Sequence, residues 1–220
     1  MNDIIVYPLQ FVEKKCEYES IYTFRFTSEQ PISFVAGQWV HLGFPSEQKD
    51  KSKVRHLSIS SAPNEPYYEF TMDVNSDSWY KKQMKALTPG DVMRAFKIKG
   101  EFVVPPTLQR PVVFIVGGIG ITPIRSIVRD IEYKKENINW SLLHVSRTQF
   151  LFEEELAKSS KKQWRVHRDG LDDVWSDVIS NGNEALYYLC GSDRFVEGMK
   201  EKLGFSDITP DNIVVENFNH

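Results

Sequence analysis

Val112-Val113-Phe114-Ile115-Val116-Gly117-Gly118-Ile119-Gly120-Ile121-Thr122-Pro123 decides how the chain is read. Five consecutive apolar residues, four of them β-branched, suit a strand covered on both faces. The glycines that follow permit a sharp turn and let the backbone approach a phosphate, whose charge then meets the free N–H groups of a helix start. Thr122 is expected as the N-cap and Pro123 as the first helical residue. Strand, glycine turn and capped helix together open a dinucleotide-binding unit, although Pro123 stands where the usual fingerprint has its third glycine. A tight turn without a ligand is the plain alternative.

Downstream, strand-like runs at 141–145, 164–167, 185–189 and 213–215 alternate with helical stretches at 123–135, 151–159, 172–180 and 193–203. Such alternation means a parallel sheet, here of five strands, with right-handed crossovers. After the second strand, a dinucleotide unit usually carries a carboxylate for the ribose hydroxyls. This chain has Ser146-Arg147-Thr148 and no carboxylate before Glu153. A hydroxyl and a guanidinium suit a 2′-phosphate and lean towards NADPH; an ordinary exposed arginine is equally open.

Upstream the pattern differs. Ile21-Tyr22-Thr23-Phe24-Arg25-Phe26-Thr27 and Tyr68-Glu69-Phe70-Thr71-Met72-Asp73-Val74 alternate with period two. Strands are expected near 4–14, 20–27, 38–43, 54–60, 67–74 and 91–98, spaced for an antiparallel barrel or sandwich. A helix at 77–87, with Trp79, Tyr80, Met84 and Leu87 as its apolar set, stops before Pro89-Gly90. Pro105-Pro106 and then Arg110-Pro111 mark a stiff boundary, giving domains 1–106 and 107–220.

The 220 residues, 41% hydrophobic and 26% charged, exclude disordered and fibrous classes. No run approaches the ~18 apolar residues that span a bilayer, and Met1-Asn2-Asp3-Ile4 does not open a signal peptide. A cytoplasmic chain is expected. Basic and acidic residues number thirteen each before residue 107, and fourteen against seventeen after it, so neither half has the basic excess of a nucleic-acid binder. Two cysteines, Cys16 and Cys190, cannot hold an iron–sulfur cluster or a cysteine-rich zinc site, and no metal site is expected.

Arg55-His56-Leu57-Ser58-Ile59-Ser60-Ser61 places a phosphate-binding side chain and a hydroxyl at a strand end. Beside a dinucleotide unit it resembles the flavin motif Arg-x-Tyr-Ser-x-x-Ser of the ferredoxin–NADP⁺ reductase superfamily. The likeness runs through nearly the whole chain in the same order. Lys99-Gly100-Glu101-Phe102 resembles the Gly-x-Phe that closes the flavin domain, and Gly117 to Pro123 resembles the Gly-Gly-x-Gly-x-x-Pro nucleotide loop. Leu189-Cys190-Gly191-Ser192-Asp193-Arg194-Phe195 is similar to the Cys-Gly motif beside the nicotinamide. Ile213-Val214-Val215-Glu216-Asn217-Phe218 is similar to the Glu-x-aromatic ending.

The resemblance implies a six-stranded antiparallel Greek-key β-barrel that binds flavin, followed by a five-stranded parallel α/β nucleotide domain. It implies Arg55 on a flavin phosphate, Ser58 near the flavin N5, the backbone of Thr71, Met72 and Asp73 along the isoalloxazine edge, and Ser78 at a helix start facing the pyrophosphate. Gly117, Gly118, Gly120, Thr122, Pro123, Ser146, Arg147 and Gly191 would receive NAD(P)H. Cys190 would lie by the nicotinamide, with Glu216 and Phe218 near the flavin. Leu57 stands at the family's tyrosine position, leaving His56 or Trp79 to supply an aromatic face. The glycine that precedes Ser78 in the family is absent, as is its adenine-side insertion. These departures favour FMN or an exchangeable flavin over tightly held FAD.

The implied activity is hydride transfer from NAD(P)H to bound FAD, with electrons passing to a separate acceptor such as ferredoxin, from a monomer or weak homodimer. An NAD(P)H:flavin oxidoreductase that uses free flavin as substrate is the catalytic alternative. A nucleotide-binding regulatory or docking subunit of an electron-transfer complex is the non-catalytic one.

Overall fold

A computed structural model describes residues 5–46, 50–159 and 161–216. In the front half, β1 (Val6–Tyr18), β2 (Ile21–Thr27), β3 (Trp39–Gly43), β4 (Val54–Ser58), β5 (Tyr68–Asp73) and β6 (Val92–Lys99) form one antiparallel sheet in the order β4-β3-β6-β1-β2-β5. Alternation sends Leu9 and Phe11, Phe24 and Phe26, Val40 and Leu42 inward, where they bury against Phe70 and Met93. The sheet curls until its two edges approach. Just past β4, the Ser60 N–H donates to the Glu69 carbonyl at 2.8 Å. Helix α1 (Trp79–Ala86) plugs the curl with Tyr80 and Met84, and the Tyr80 hydroxyl donates to the Leu42 carbonyl at 3.2 Å.

In the back half, β7 (Val112–Gly117), α2 (Ile121–Lys134), β8 (Trp140–Val145), α3 (Glu153–Leu156), β9 (Gln163–Val166), α4 (Leu171–Val178), β10 (Leu186–Cys190), α5 (Asp193–Gly204) and β11 (Ile213–Val215) alternate. The strands are parallel in the order β11-β10-β7-β8-β9. β7 is central and covered on both faces, as its unbroken apolar run requires: Val112, Phe114 and Val116 join the cluster under α2, and Val113 and Ile115 the one containing Trp175 and Leu203. Among the described residues no helix is long and apolar enough to cross a membrane, and no group of three metal-ligating side chains forms.

Three local expectations change. β1 runs to Tyr18 rather than ending near 14, because a tight turn with Glu19 at φ +46° pairs Tyr18 with Ile21 and carries the charged segment into the hairpin. The helix expected at 151–159 shrinks to the single turn of α3, entered through Phe152 in the left-handed conformation, φ +60°. Thr122 is not the N-cap. A 3₁₀ turn at Gly118–Gly120 runs straight into α2, so Gly120 caps it, and Thr122 and Pro123 lie inside the first turn. Pro123 is tolerated there because the first four N–H groups of a helix have no intrahelical acceptor.

Candidate active site

The order of the strands reverses between β7, which leads to β8 on one side, and β10 on the other. Ligands of open α/β sheets bind in the crevice beyond the carboxyl ends of strands at such a point. Here the crevice holds the glycine turn and the Cys190-Gly191 strand end, and the two are built around each other. A Cβ at Gly120 would sit 2.5 Å from the Cys190 carbonyl oxygen, so the start of α2 rests directly on that backbone. Gly117 and Gly191 both lie against the Phe195 ring, which a Cβ on either would meet at 2.7 Å. Gly118 differs: it is left-handed, φ +53°, and open space faces it. It alone of the four leaves room beside the backbone for a ligand.

His144, on β8, holds this turn from below. The residue is 2% exposed, and its Nε2–H donates to the Gly118 carbonyl at 3.0 Å. Burial, helped slightly by Arg165 and opposed by the pull of that carbonyl, lowers its pKa to about 4. The imidazole is therefore neutral at pH 7. Sequence reading missed this residue, although a histidine inside Leu142-Leu143-His144-Val145 is a polar group on a doubly covered strand and needs a buried partner.

Cys190 is 1% exposed. Burial, and secondarily the Glu216 carboxylate, push its thiol well above the ordinary range, so it is a neutral group here and no nucleophile. Glu216 extends β11 by one residue, its N–H donating to the Leu189 carbonyl at 3.1 Å, and it is 8% exposed. Phe218 lies outside the described residues. Ser146 is buried, its hydroxyl donating to the Gln149 carbonyl at 2.7 Å, while Arg147 is exposed beside it. Both stand at the carboxyl end of β8.

Arg55 and Leu57 point to one face of β4 and His56 to the other, as the pleat demands. Arg55 stacks over Tyr80 of α1 at 5.1 Å and donates to the carbonyls of Ser52 and Val54 at 3.2 and 2.7 Å. It therefore lies against the helix whose N-cap is Ser78. That cap hydroxyl accepts from the Lys81 N–H at 3.4 Å. His56 stacks on Trp39 at 5.0 Å and stands 4.1 Å from His41, on the face away from Leu57. Trp79 is 43% exposed and meets Phe44 edge-on.

Ser58 ends β4 opposite Trp39. Its hydroxyl oxygen and the Trp39 indole nitrogen are both buried and make no hydrogen bond. Buried polar atoms without partners are rare and point to a missing one. The β5 residues are occupied: Thr71 Oγ1 bonds Thr23 and Ser60, Met72 joins the core, and Asp73 accepts from Ser20 and Asn75. What β5 can offer a ligand is its edge backbone, and that strand lies next to the Gly118–Gly120 turn.

The sequence-derived residues thus fall into two groups. Arg55, Leu57 and Ser78 gather around α1. The β5 edge, the glycine turn, Cys190 and Glu216 adjoin one another, and Ser58 ends β4, the strand whose tip meets β5. A groove of about 720 Å³, lined by Lys200, Ile208, Pro210, Ile213 and Val215, does not belong to either group. It opens on the opposite face of the parallel sheet from Cys190.

A curled antiparallel sheet plugged by one helix, followed by a five-stranded parallel sheet with its glycine turn at the reversal point, superposes on a ferredoxin NADP⁺ reductase from Neisseria gonorrhoeae. The TM-score is 0.79 at 18% identity, covering 96% of this chain and 98% of that one. The fold is that of the ferredoxin–NADP⁺ reductase superfamily. The chain is 26% identical over 212 residues to a flavohemoprotein of Oceanobacillus iheyensis, covering 86% of this chain and 52% of that protein. It is 26% identical over 230 residues to NADH-cytochrome b5 reductase 1 of Pyricularia oryzae, covering 90% and 74%. The chain spans about half the length of the flavohemoproteins it matches. No protein-family model matches it.

The residues present suit a flavin and a nicotinamide nucleotide within this reductase fold. A buried, unpartnered Ser58 hydroxyl, an arginine beside the start of α1 and an open left-handed glycine at a helix start are the features those groups need.

Proposed function

We propose that this chain is an NAD(P)H-dependent flavoprotein reductase, binding FAD between residues 1–106 and NAD(P)H on residues 107–220. The observation that supports the reading is the contact of the β5 edge with the open glycine turn, with the unpartnered Ser58 hydroxyl at the end of β4, which adjoins β5. A bound flavin supplies a hydride acceptor that can release its electrons singly or as a pair. The chain supplies position and polarity. Arg55 and the α1 start would hold the flavin phosphates, and the Ser58 hydroxyl would hydrogen-bond at the reactive edge. Gly118 and the first turn of α2 would take the nucleotide pyrophosphate. Cys190 would offer the nicotinamide a compact, uncharged wall, with Glu216 as the nearby carboxylate. Arg147 would read a 2′-phosphate, which favours NADPH, and the electrons would leave to a separate acceptor protein such as ferredoxin.

The reading is tested with purified full chain. Stoichiometric bound flavin, bleached anaerobically by NADH or NADPH, is the expected result; no flavin binding and no NAD(P)H oxidation with any electron acceptor refutes it. Replacing Ser58 by Ala should slow that bleaching by about 100-fold, the low end for one positioned hydrogen bond at a reacting centre. An unchanged rate removes its role.

One observation favours a second reading, in which flavin is a diffusible substrate. Arg55 spends its Nη1 on two backbone carbonyls and keeps only Nε and Nη2 for a phosphate, and Ser78, accepting from the Lys81 N–H, offers one only its O–H, so the phosphate grip is thin. A colourless protein that reduces added FMN or FAD at the expense of NAD(P)H establishes it.

A further inference from the structure

We propose that Arg125, with Ser126 beside it, is a positioning residue that bolts the nucleotide-binding turn to the end of the flavin strand and so sets how the hydride donor meets its acceptor. This rests on the reductase reading above.

Arg125 follows Pro123 by two residues on α2, and its side chain is 8% exposed. It leaves its own half and donates to the Ser60 carbonyl at 2.8 Å, two residues past Ser58. It pairs with Glu65 at 2.9 Å and Glu69 at 3.3 Å, both on the antiparallel half, and with Glu155 of α3 at 2.8 Å. The guanidinium also lies over the Phe152 ring at 5.2 Å. Ser126, fully buried, donates to the Ser61 carbonyl at 2.7 Å. Arg129, one turn on, spans Glu65 and Glu155, and Arg25 completes the balance by pairing with Glu69 at 2.7 Å. Three arginines thus face three shared carboxylates, and burial is outweighed at Arg125 by Glu69, Glu155 and Glu65, which hold it firmly charged.

Besides the Tyr188 hydroxyl, which donates to the Val103 carbonyl at 2.9 Å, this interface is largely apolar: Ala36 and Phe102 from the front half share a core with Ile124 and Ile127 of α2. Apolar burial is non-directional and tolerates sliding. A fork of five donors with carboxylates on several sides has one good arrangement and is costly to displace. The ion cluster therefore sets the register between the two halves. The register matters because the elements it joins end, within a few residues, in Ser58 on one side and the glycine turn on the other. A bolt of this kind is worth most where a 1 Å error in approach costs about 100-fold in rate.

The test uses the full chain loaded with flavin and the variants Arg125→Met, Arg125→Lys and Ser126→Ala. The positioning role predicts that Arg125→Met slows flavin reduction at saturating NAD(P)H by about 10- to 100-fold. KM for the nucleotide and flavin retention should stay within about 2-fold, since removing a transition-state interaction lowers kcat without raising KM. The long-wavelength charge-transfer absorbance between nicotinamide and flavin should fall with it, and Arg125→Lys should recover part of both. An unchanged rate, or a loss shared equally by nucleotide affinity and flavin retention, overturns the proposal. Should Arg125→Met fail to fold, Arg125→Lys and Ser126→Ala carry the same comparison by the same criteria. Amide hydrogen exchange of flavin-free protein separates this proposal from the reductase reading. Faster exchange of the Ser60 and Glu69 amides, which bond the Glu69 carbonyl and the Ser61 hydroxyl, in Arg125→Met supports the bolt whatever the enzymology, and unchanged exchange overturns it.

Discussion

Consider His144 replaced by glutamine, with the urea stability of both proteins followed from pH 8 to pH 4. In the native protein the imidazole is buried on β8 and gives its Nε2–H to the Gly118 carbonyl at 3.0 Å. Burial is the largest influence on it, and the pKa falls from 6.5 to about 4. The folded state therefore favours the neutral ring. A depressed histidine contributes stability that is complete above the unfolded value of 6.5 and is lost as pH falls through the window from 6.5 to 4. The 2.5-unit difference corresponds to about 3 kcal/mol, at about 1.4 kcal/mol per pH unit within the window. His41 is lowered as well, to about 4, by burial, by His56 and by Lys97 and Lys99, so it adds a second acid-labile contribution. Comparing wild type with His144→Gln cancels that background. Glutamine keeps a donor for Gly118 but cannot titrate. The wild-type curve should accordingly descend about 3 kcal/mol further than the variant's between pH 7.5 and pH 4, with unchanged urea m-values. Curves that run parallel within about 0.5 kcal/mol would refute the buried neutral imidazole and its hold on the glycine turn.

Gly120→Ala forces a Cβ to within 2.5 Å of the Cys190 carbonyl, and overpacking against backbone should cost about 1–3 kcal/mol or more in urea unfolding. Gly118→Ala meets nothing within 4 Å and should cost only the ~1 kcal/mol of a left-handed alanine; equal losses would contradict the assignment of close packing to one and open space to the other. Tyr80→Phe removes the buried hydroxyl from the Leu42 carbonyl and should lower stability by about 1–2 kcal/mol, with a loss under 0.3 kcal/mol counting against that bond. Arg147→Ala should raise KM for NADPH about 10-fold or more while leaving KM for NADH within 2-fold; equal effects on both would strip Arg147 of 2′-phosphate recognition.

What was legible in the sequence was whatever repeats with a period or stands alone at a turn. Phe24 and Phe26 alternate, β7 is apolar without interruption, and Pro105-Pro106 separates two patterns, so both sheets and their order could be read. Local detail failed where one residue's conformation overrode a good propensity. Thr122 has the chemistry of a cap, but the Gly118–Gly120 3₁₀ turn had already started the helix. The stretch 151–159 reads as helical until Phe152 turns left-handed.

Arg125, Ser126 and His144 resisted for a different reason: each is a polar residue in a window where its neighbours are all buried. Positions 121 to 128 of α2 are buried without exception, although the apolar stripe Ile121, Ile124, Ile127, Val128 covers only part of the helix. A helix buried all round cannot leave an arginine unsatisfied, because an unpaired interior charge costs several kcal/mol. So the sequence pattern already demands that Arg125 have a partner at close range. It cannot say which of thirty carboxylates serves, because Glu65 and Glu69 reach it only through the curl of the other sheet. The polar residue inside a buried window is thus the readable sign of a functional contact. Its partner is a property of the fold, and here the partner is what ties the two halves of the site together.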